Sequence, residues 1–413
     1  MSFSLDNILP NVLIIPMITH WVLPDSIESL FYIDLGYFNF YVFNVLFFFY
    51  MYGYNKIKIS CSSRYLIIKR VINLLCLLFL LFAILNLICN ESDDILMLVV
   101  NNFSFVFFLW LFFNFPLDFY YIKKTKLLLF ITLLVLSLEV ILFSFGLVHY
   151  TSATGNEIEG ETFEDIMRVS TTIGAATGTS LVLVVLGSLC VMVEESKFIK
   201  LCVYLMATVA IILTLSRGGI LTWILYSLYY FYRYYYTIVS FKKRFISITL
   251  IFLLFFMLSD IGILDAVLSR NDRADGDITN GRMERFEKGL ITYYDSSYYG
   301  VGMGRVYPDK CIVGDFYSPY FSAPHNYYII VLAENGIIGL TIIGLLLIVI
   351  LLTVDYNSLT SYVLVLLLLV NFNSEGIWGY SEFASLFAFL AMSSINKKMV
   401  LSNYVMRMKK VCV

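Results

Sequence analysis

The residues of this chain best suited to bind a phosphate or to move a proton are four arginines and one histidine in its second half. They are Arg217, Arg282, Arg285, Arg305 and His325. An arginine guanidinium keeps its charge and presents a planar fork of donors that fits phosphate oxygens. A histidine titrates near neutrality, so it can accept a proton from a hydroxyl group. Together these side chains predict a site that binds a phosphate and accepts a proton from a hydroxyl group.

Arg217 lies between Ser216 and two glycines, at the predicted outer end of a membrane span. One interpretation is an interfacial arginine whose stem covers apolar surface while its head reaches water. The other is a phosphate ligand, because an arginine at membrane depth usually faces a cavity or a partner. Gly218 and Gly219 favour the phosphate ligand, since glycines permit a sharp chain reversal and a close approach of ligand to backbone.

Arg282 and Arg285 are three residues apart in the segment NGRMERFEKGL, so a helix would place them on one face. Glu284 and Lys288 would then form an i,i+4 ion pair on another face. A solvated amphipathic helix lying on the membrane explains the same pattern without any ligand. The segment therefore predicts a helix, and leaves open whether its arginines bind a substrate.

The segment GVGMGR, residues 300–305, is predicted to form a tight turn that brings Arg305 near the site. Its glycines do not make it a nucleotide-binding loop, because no strand-to-helix context surrounds it.

His325 lies in the segment APHNYYI, where a long polar stretch meets the next apolar run. A lone histidine is usually structural, so a role at the helix start is one interpretation. Its depth near the lipid headgroups, opposite several arginines, favours a proton acceptor for a hydroxyl. Asn326 is predicted to help cap the following helix.

Glu334 lies about two turns further on, near the membrane interface, where an ionisable side chain needs a partner. The first interpretation is that it caps a helix or forms a salt bridge with an arginine. We also expect it to bind substrate.

The long polar stretch has no sequence pattern typical of a metal site. Asp272, Asp275 and Asp277 are loosely spaced and lack the continuation of a calcium-binding loop. We therefore expect a site without metal or other cofactor, in which arginines supply the positive charge that Mg²⁺ supplies elsewhere.

The elements that must position these residues are membrane helices. The chain has 413 residues, of which 60% are hydrophobic and 14% charged, whereas a soluble domain carries about 25% charged residues. Apolar runs of about 20 residues match the length that a helix needs to cross a membrane. We predict an all-α polytopic membrane protein whose twelve spans are 7–24, 31–53, 66–89, 95–116, 127–149, 170–193, 200–216, 218–237, 245–264, 327–353, 359–373 and 381–396.

The distribution of basic residues predicts the orientation. If the N-terminus is cytoplasmic, most of the 28 lysines and arginines fall in cytoplasmic loops, as the positive-inside rule requires. Both termini are then cytoplasmic. A minor loop (150–169) and a major loop (265–326) face outward, the major one carrying the active site, and residues 1–413 form one integral membrane domain.

Several of these segments, taken in order, resemble the O-antigen ligase and polymerase superfamily. They are ATGTS at 176–180, SRGG at 216–219, GR at 281–282, the GxGxGR-like turn, and HNYYIIVLAENGIIG from 325; the similarity covers roughly residues 165–345. The resemblance implies an inverting, metal-independent glycosyltransferase of the inner membrane. Its donor would be a glycan on undecaprenyl pyrophosphate at the periplasmic face.

The resemblance also implies roles for individual residues. Arg217 and Arg282 match pyrophosphate-binding arginines, and His325 matches an essential histidine. Arg285 and Arg305 match less closely, and we expect them to bind substrate.

Within the family, an O-antigen polymerase that joins lipid-linked repeat units is the leading hypothesis. The alternative is a ligase that moves polysaccharide onto lipid A–core, and a flippase or transporter comes third. Acidic residues outnumber lysines and arginines in 265–325, which suits a phosphorylated lipid A–core acceptor poorly. The chain shows no internal repeat of the kind common in transporters. Expected partners are lipid-linked glycan donor and acceptor, membrane lipids, a chain-length regulator protein and a flippase; no nucleic acid is expected.

Overall fold

The computed structural model of the protein is mostly helical. It describes residues 32–34, 39–41, 63–89, 106, 109–110, 126–147, 162–163, 166–167, 176–236, 282–296, 298–302, 312–313, 316–317, 326–356, 358–371, 387, 390–391 and 394. The helices among these residues are α1 (Ser63–Cys89), α2 (Lys126–Ser144), α3 (Ala176–Val193), α4 (Lys197–Leu213), α5 (Arg217–Tyr230), α6 (Arg282–Asp295), α7 (Tyr327–Thr353) and α8 (Leu359–Leu366). Two π-helical turns, Phe231–Tyr236 and Leu367–Asn371, extend α5 and α8.

Seven of these helices fall, to within a few residues, on predicted membrane spans, and α6 lies in the predicted major loop. In the part of the chain that the structure describes, three stretches are long and apolar enough to cross a membrane: Tyr65–Phe82, Lys126–Ser144 and Tyr327–Thr353, with mean hydropathies of 2.2, 2.6 and 2.9. Large apolar side chains such as Ile67 and Leu127 are exposed on them, as lipid-facing residues are. The chain is thus membrane-embedded, and the count of twelve spans and their orientation stay predictions.

Helix α2 ends earlier than the sequence predicted. The predicted span runs to 149, but the helix ends at Ser144. Gly146 takes φ +66°, and the amides of Gly146 and Leu147 bond back to carbonyls of the last turn, each over 2.9 Å. A left-handed glycine with such back-bonding is a common way to end a helix.

Three short antiparallel strand pairs occur among the described residues. Tyr32–Asp34 pairs with Asn39–Tyr41, so the prediction of a helical span from 31 to 53 is wrong for these residues. Aromatic and β-branched residues favour strands, and Asp34 and Asn39 favour turns over helix. The other pairs join Thr162–Phe163 to Ile166–Met167 and Ile312–Val313 to Phe316–Tyr317, within the predicted outer loops.

The chain divides into two compact units. The first comprises Met1–Leu128, Arg282–Val365 and Phe372–Val413, and the second comprises Leu129–Gly281 and Leu366–Asn371. Arg217 belongs to the second unit, and the other predicted site residues belong to the first. The prediction of one integral domain stays a prediction.

Helices α3, α4 and α5 pack against one another in the second unit. Connections of three residues reverse the chain between them, so α3 and α5 run parallel with α4 antiparallel to both. The connection from α3 to α4 is held by Glu194, whose carboxylate accepts bonds of 2.8 Å from the amides of Glu195 and Ser196. Gly187 of α3 allows close packing, because a Cβ there would lie 3.0 Å from Cβ of Ala207.

An aromatic cluster fastens α4 to α5. Tyr204 stacks on Trp223 and Tyr230 with ring centroids 5.4 and 5.9 Å apart. Its hydroxyl donates to Ser227 Oγ over 2.5 Å, and Trp223 Nε1 donates to Thr208 Oγ1 over 2.8 Å. These partly buried bonds satisfy the polar ends of the two rings, so the cluster joins α4 to α5 through both packing and hydrogen bonds.

In the first unit, α7 packs against both α1 and α6. Gly339 of α7 lies against Phe82 of α1, where an added Cβ would stand 3.4 Å from the ring. Contact with α6 attaches the predicted major loop to the membrane helix that follows it.

Candidate functional site

Arg217 is the first residue of α5, and the preceding Ser216 caps the helix. The backbone of Ser216 is extended, with φ −86° and ψ 110°, and its Oγ accepts a 3.4 Å bond from the amide of Gly219. Arg217 is half-buried. Because a helix N-terminus carries partial positive charge and unsatisfied N–H groups, this end of α5 attracts anions. The arginine adds a full positive charge at the same place.

The chain reversal before Arg217 is strained. Leu215 takes φ +51° although it has a side chain, and it is buried to 1% exposure. Left-handed backbone at a bulky residue is uncommon and often accompanies functional sites. Thr214 holds the reversal by accepting a 3.3 Å bond from the amide of Ser216 through its Oγ1. The strain is therefore maintained by packing and by a local hydrogen bond, next to the predicted phosphate ligand.

The segment ATGTS packs against the segment SRGG. Ser180 Oγ donates to the carbonyl of Thr177 over 2.7 Å, which turns its side chain along α3. A Cβ on Gly219 would lie 2.5 Å from Cβ of Ser180, so only glycine fits. The N-terminal turns of two parallel helices, α3 and α5, thus meet beside Arg217. The sequence indicated both segments through a resemblance, whereas their contact is a finding of the structure.

Helix α6 confirms the predicted helix in the major loop. Arg282 begins it, but the Arg282 side chain lies outside the described residues; Arg285 is half-buried. Lys288 Nζ lies 2.6 Å from Glu284 Oε1, as the i,i+4 spacing predicted. This hydrogen bond and the charge of Lys288 lower the pKa of Glu284, and the charge of Arg285 adds to the effect. The carboxylate of Glu284 therefore stays ionised, with the charges of Lys288 and Arg285 acting on it.

Helix α7 is interrupted at Gly336, which takes φ 60° and ψ −166°. The broken helical ladder is completed by a turn from the major loop. Val301 and Gly302 donate their amides to the carbonyls of Ala333 and Glu334 over 2.9 and 2.8 Å. In return, α7 donates one bond to the turn: the amide of Ile337, directly after Gly336, donates to the carbonyl of Tyr298 over 3.4 Å.

Glycine is required on both sides of this junction. Gly300 takes φ +83°, and a Cβ on it would lie 2.5 Å from the amide nitrogen of Gly336. A Cβ on Gly336 would lie 2.6 Å from the carbonyl carbon of Tyr299. Residues 300–302 of the GVGMGR segment form a bend in which Gly302 donates its amide to α7 and Gly300 packs against it. The predicted approach of Arg305 to the site stays a prediction. The dipeptide Asn335-Gly336 inside an apolar run was the available sequence signal for the break, because such pairs mark turns.

Glu334 and Asn335 are buried where α7 breaks, at 0% and 2% exposure. The main-chain carbonyl of Glu334 makes the contact with the turn, and its predicted role in substrate binding stays a prediction. Within the described part of the chain, Asn335 Oδ1 has no hydrogen-bond partner. Buried polar groups in a membrane helix are costly and commonly functional.

His325 and Arg305 lie outside the described residues. The residue after His325 confirms the predicted cap: Asn326 Oδ1 accepts a 3.1 Å bond from the amide of Ile329 and begins α7. His325 therefore directly precedes a capped helix start in the first unit. Among the described residues, no group of three or more histidines, cysteines, aspartates and glutamates is arranged to hold a metal ion.

Residues 202–344 match the family model described as Wzy_C: O-Antigen ligase. The resemblance to the O-antigen ligase and polymerase superfamily is confirmed for residues 202–344, while the ATGTS segment at 176–180 lies outside the match. The matched range contains every predicted site residue, the strained reversal before Arg217 and the break in α7. It supports an O-antigen ligase or polymerase type of function, a glycosyl transfer that acts on polysaccharide. None of the curated proteins compared with the chain matches it.

Proposed function

We propose that the protein is an O-antigen polymerase of the bacterial inner membrane. It joins repeat units carried on undecaprenyl pyrophosphate, at the periplasmic face and with inversion at the anomeric carbon. The observation that carries this proposal is the setting of Arg217 within the matched family region. A half-buried arginine stands there at a capped helix N-terminus, after a strained reversal.

Arg217 acts on the leaving group in this mechanism. As the bond from the anomeric carbon to the pyrophosphate oxygen breaks, the bonding electrons and additional negative charge pass to the pyrophosphate. The guanidinium and the N-terminus of α5 stabilise that charge more in the transition state than in the ground state, which is what accelerates a reaction. The hydroxyl groups of Thr177 and Ser180 lie buried on the neighbouring α3 and keep the surroundings of this corner polar.

The acceptor hydroxyl attacks from the opposite face of the sugar. Its oxygen forms the new glycosidic bond, and its proton passes to His325, which acts as the general base. Arg282, with Arg285 and Arg305, binds the lipid-linked phosphates of the substrates. The charges that a metal ion would neutralise in other transferases are neutralised here by arginine. A flippase that delivers the repeat units and a chain-length regulator are the partners that this function requires.

A ligase is the second candidate, and the description of the matching family favours it. In a ligase the acceptor is lipid A–core and not another lipid-linked repeat. Both reactions release undecaprenyl pyrophosphate, so the arginines serve both. The acidic excess in residues 265–325 disfavours a phosphorylated acceptor by charge repulsion and supports the polymerase.

Lipopolysaccharide profiling of a deletion strain tests the choice. Loss of a polymerase leaves lipid A–core carrying a single repeat unit. Loss of a ligase leaves bare core while long polymer accumulates on undecaprenyl pyrophosphate. A normal ladder of lengths in the deletion strain contradicts both functions.

A further inference from the structure

The junction between the major loop and the break in α7 has no role in the mechanism above. We call it the glycine clamp and define it as residues 298–302 together with residues 333–337. We propose that the glycine clamp is a positioning device: it sets the placement of α6, which carries Arg282 and Arg285, relative to the start of α7, which His325 precedes in the sequence. This inference rests on the proposed function for its catalytic consequence, and its structural part is testable alone.

Helix α6 runs into the clamp. Ser296, directly after the helix, donates its Oγ to the carbonyl of Tyr293 over 2.7 Å and accepts the amide of Gly300 over 3.0 Å. Tyr298 takes φ 72° and its ring meets the rings of Tyr293 and Tyr294 at 5.3 and 5.9 Å. The last turn of α6 and the turn that enters the clamp are thus one hydrogen-bonded and packed piece.

The first half of α7 also runs into the clamp. It begins at Tyr327, after the Asn326 cap, and reaches the break at Gly336. Helix α6 and the first half of α7 therefore end at one backbone junction, and their other ends are Arg282 and Tyr327. His325 precedes Tyr327 by two residues in the sequence. Three main-chain hydrogen bonds cross the junction, and both pieces already contact each other as packed helices.

The length of α6 amplifies any rotation at the clamp into a displacement of the far end of the helix. Helix α6 has 14 residues, so it is about 21 Å long at 1.5 Å per residue. A rotation of α6 by about 10° at the clamp would move the far end of the helix by about 3.7 Å. Because a misplacement of about 1 Å can cost about a hundredfold in rate, small distortions of the clamp are enough to disable transfer without removing any reacting group.

Two clamp variants and two control variants, all at glycines, distinguish a loss of positioning from a general loss of stability. Gly300→Ala and Gly336→Ala force a Cβ into the opposing backbone. Gly344→Ala changes a glycine of the same helix α7 with open space around it, and Gly146→Ala changes a left-handed glycine, φ +66°, also in open space. We expect the clamp variants to lose about a hundredfold in kcat with little change in the KM for lipid-linked repeats. The two controls keep wild-type kinetics.

A distance measurement reports positioning directly. Spin labels at Ile291, exposed on α6, and Leu332, half-buried on the first half of α7, give a narrow distribution in the wild type and in Gly344→Ala. The distribution broadens or shifts in Gly336→Ala. Because a clamp variant can fail to fold, hydrogen exchange on the wild-type protein provides a second measurement: the amides of Val301 and Gly302 are protected as strongly as those of α7.

Each outcome decides between the two proposals. Exchange of the Val301 and Gly302 amides at loop rates overturns the clamp, as does a folded Gly336→Ala protein with unchanged distances and full activity. If the wild-type protein transfers no glycan, the proposed function fails, and the spin-label distances alone then decide the clamp. A clamp variant that loses kcat and also shows an altered spin-label distance supports the positioning role of the glycine clamp.

Discussion

Ser180 of α3 and Gly219 of α5 are in direct contact, with no space between them for a single methyl group on the glycine. The contact joins the first turns of two parallel helices and lies two residues from Arg217. Small residues at such contacts let helices approach closely where no hydrophobic force holds them together in a membrane. The position of the predicted phosphate ligand therefore depends on a steric fit in the neighbouring helix.

The Gly219→Ala substitution is expected to destabilise the second unit and to impair transfer. The added methyl overlaps the Ser180 side chain, and overpacking of this kind costs about 1–3 kcal/mol. A Ser180→Gly/Gly219→Ala double variant should recover, since the nearest remaining atom, Ser180 Cα, stands 3.6 Å from the new Cβ. Thermal unfolding and transfer rates of the four proteins measure the coupling. Additive losses in the double variant would contradict the steric explanation.

Arg217→Ala is expected to lose about 10²–10³ in rate, the usual effect of removing one charge-stabilising donor. Arg217→Lys keeps the charge but loses the planar fork, so its rate should fall between those of the wild type and Arg217→Ala. Release of undecaprenyl pyrophosphate from a lipid-linked repeat measures the effect. Arg233→Ala, an exposed arginine beyond α5, is the matched control and should retain activity. Equal activities of Arg217→Ala and the wild type would remove this residue from the site.

His325→Ala is expected to lose about 10²–10⁴ in rate through removal of the general base. A base works unprotonated, so wild-type activity should fall as the pH drops through about 6.5, the ordinary pKa of histidine. The residual activity of His325→Ala should lack the acid limb. A variant that keeps the same limb would make His325 a helix-start residue only.

Turnover of lipid-linked repeats is expected to survive EDTA in detergent. The physical reason is that fixed guanidinium charges, unlike a bound cation, cannot be chelated. The assay compares rates before and after chelation, with EDTA-treated buffer to which Mg²⁺ or Mn²⁺ is restored as the control. Activity that vanishes and returns with the cation would show that arginines do not replace a metal here.

The orientation of the chain is expected to place Cys311 outside and Cys61 and Cys412 inside. This follows from the distribution of lysines and arginines along the sequence. An impermeant maleimide applied to intact spheroplasts should label a single-cysteine protein at Cys311, and should label the other two only after permeabilisation. Labelling of Cys412 from outside would reverse the topology and move the arginines to the cytoplasmic face.

Local patterns in the sequence were sufficient to predict most of the helices among the described residues. The ion pair of Glu284 with Lys288 and the cap of Asn326 on Ile329 were predictable, since each joins residues three or four positions apart. Apolar runs predicted α7 with the same ends that the structure has, Tyr327 and Thr353. The span predicted at 31–53 was wrong where strands form, because an apolar aromatic run suits a strand as well as a helix.

Composition and apolar periodicity thus determined by themselves that this is a helical membrane protein, and a series of short segments indicated the resemblance that the match of residues 202–344 supports. The arginine and histidine site stays a prediction. Only the tertiary structure decided that Gly219 must accommodate Ser180 and that Gly300 binds against the break at Gly336. Each of these pairs is far apart in the chain. Their contact depends on how segments distant in the chain approach each other in space. Because a glycine has no side chain, its chemistry does not indicate which residue it will contact.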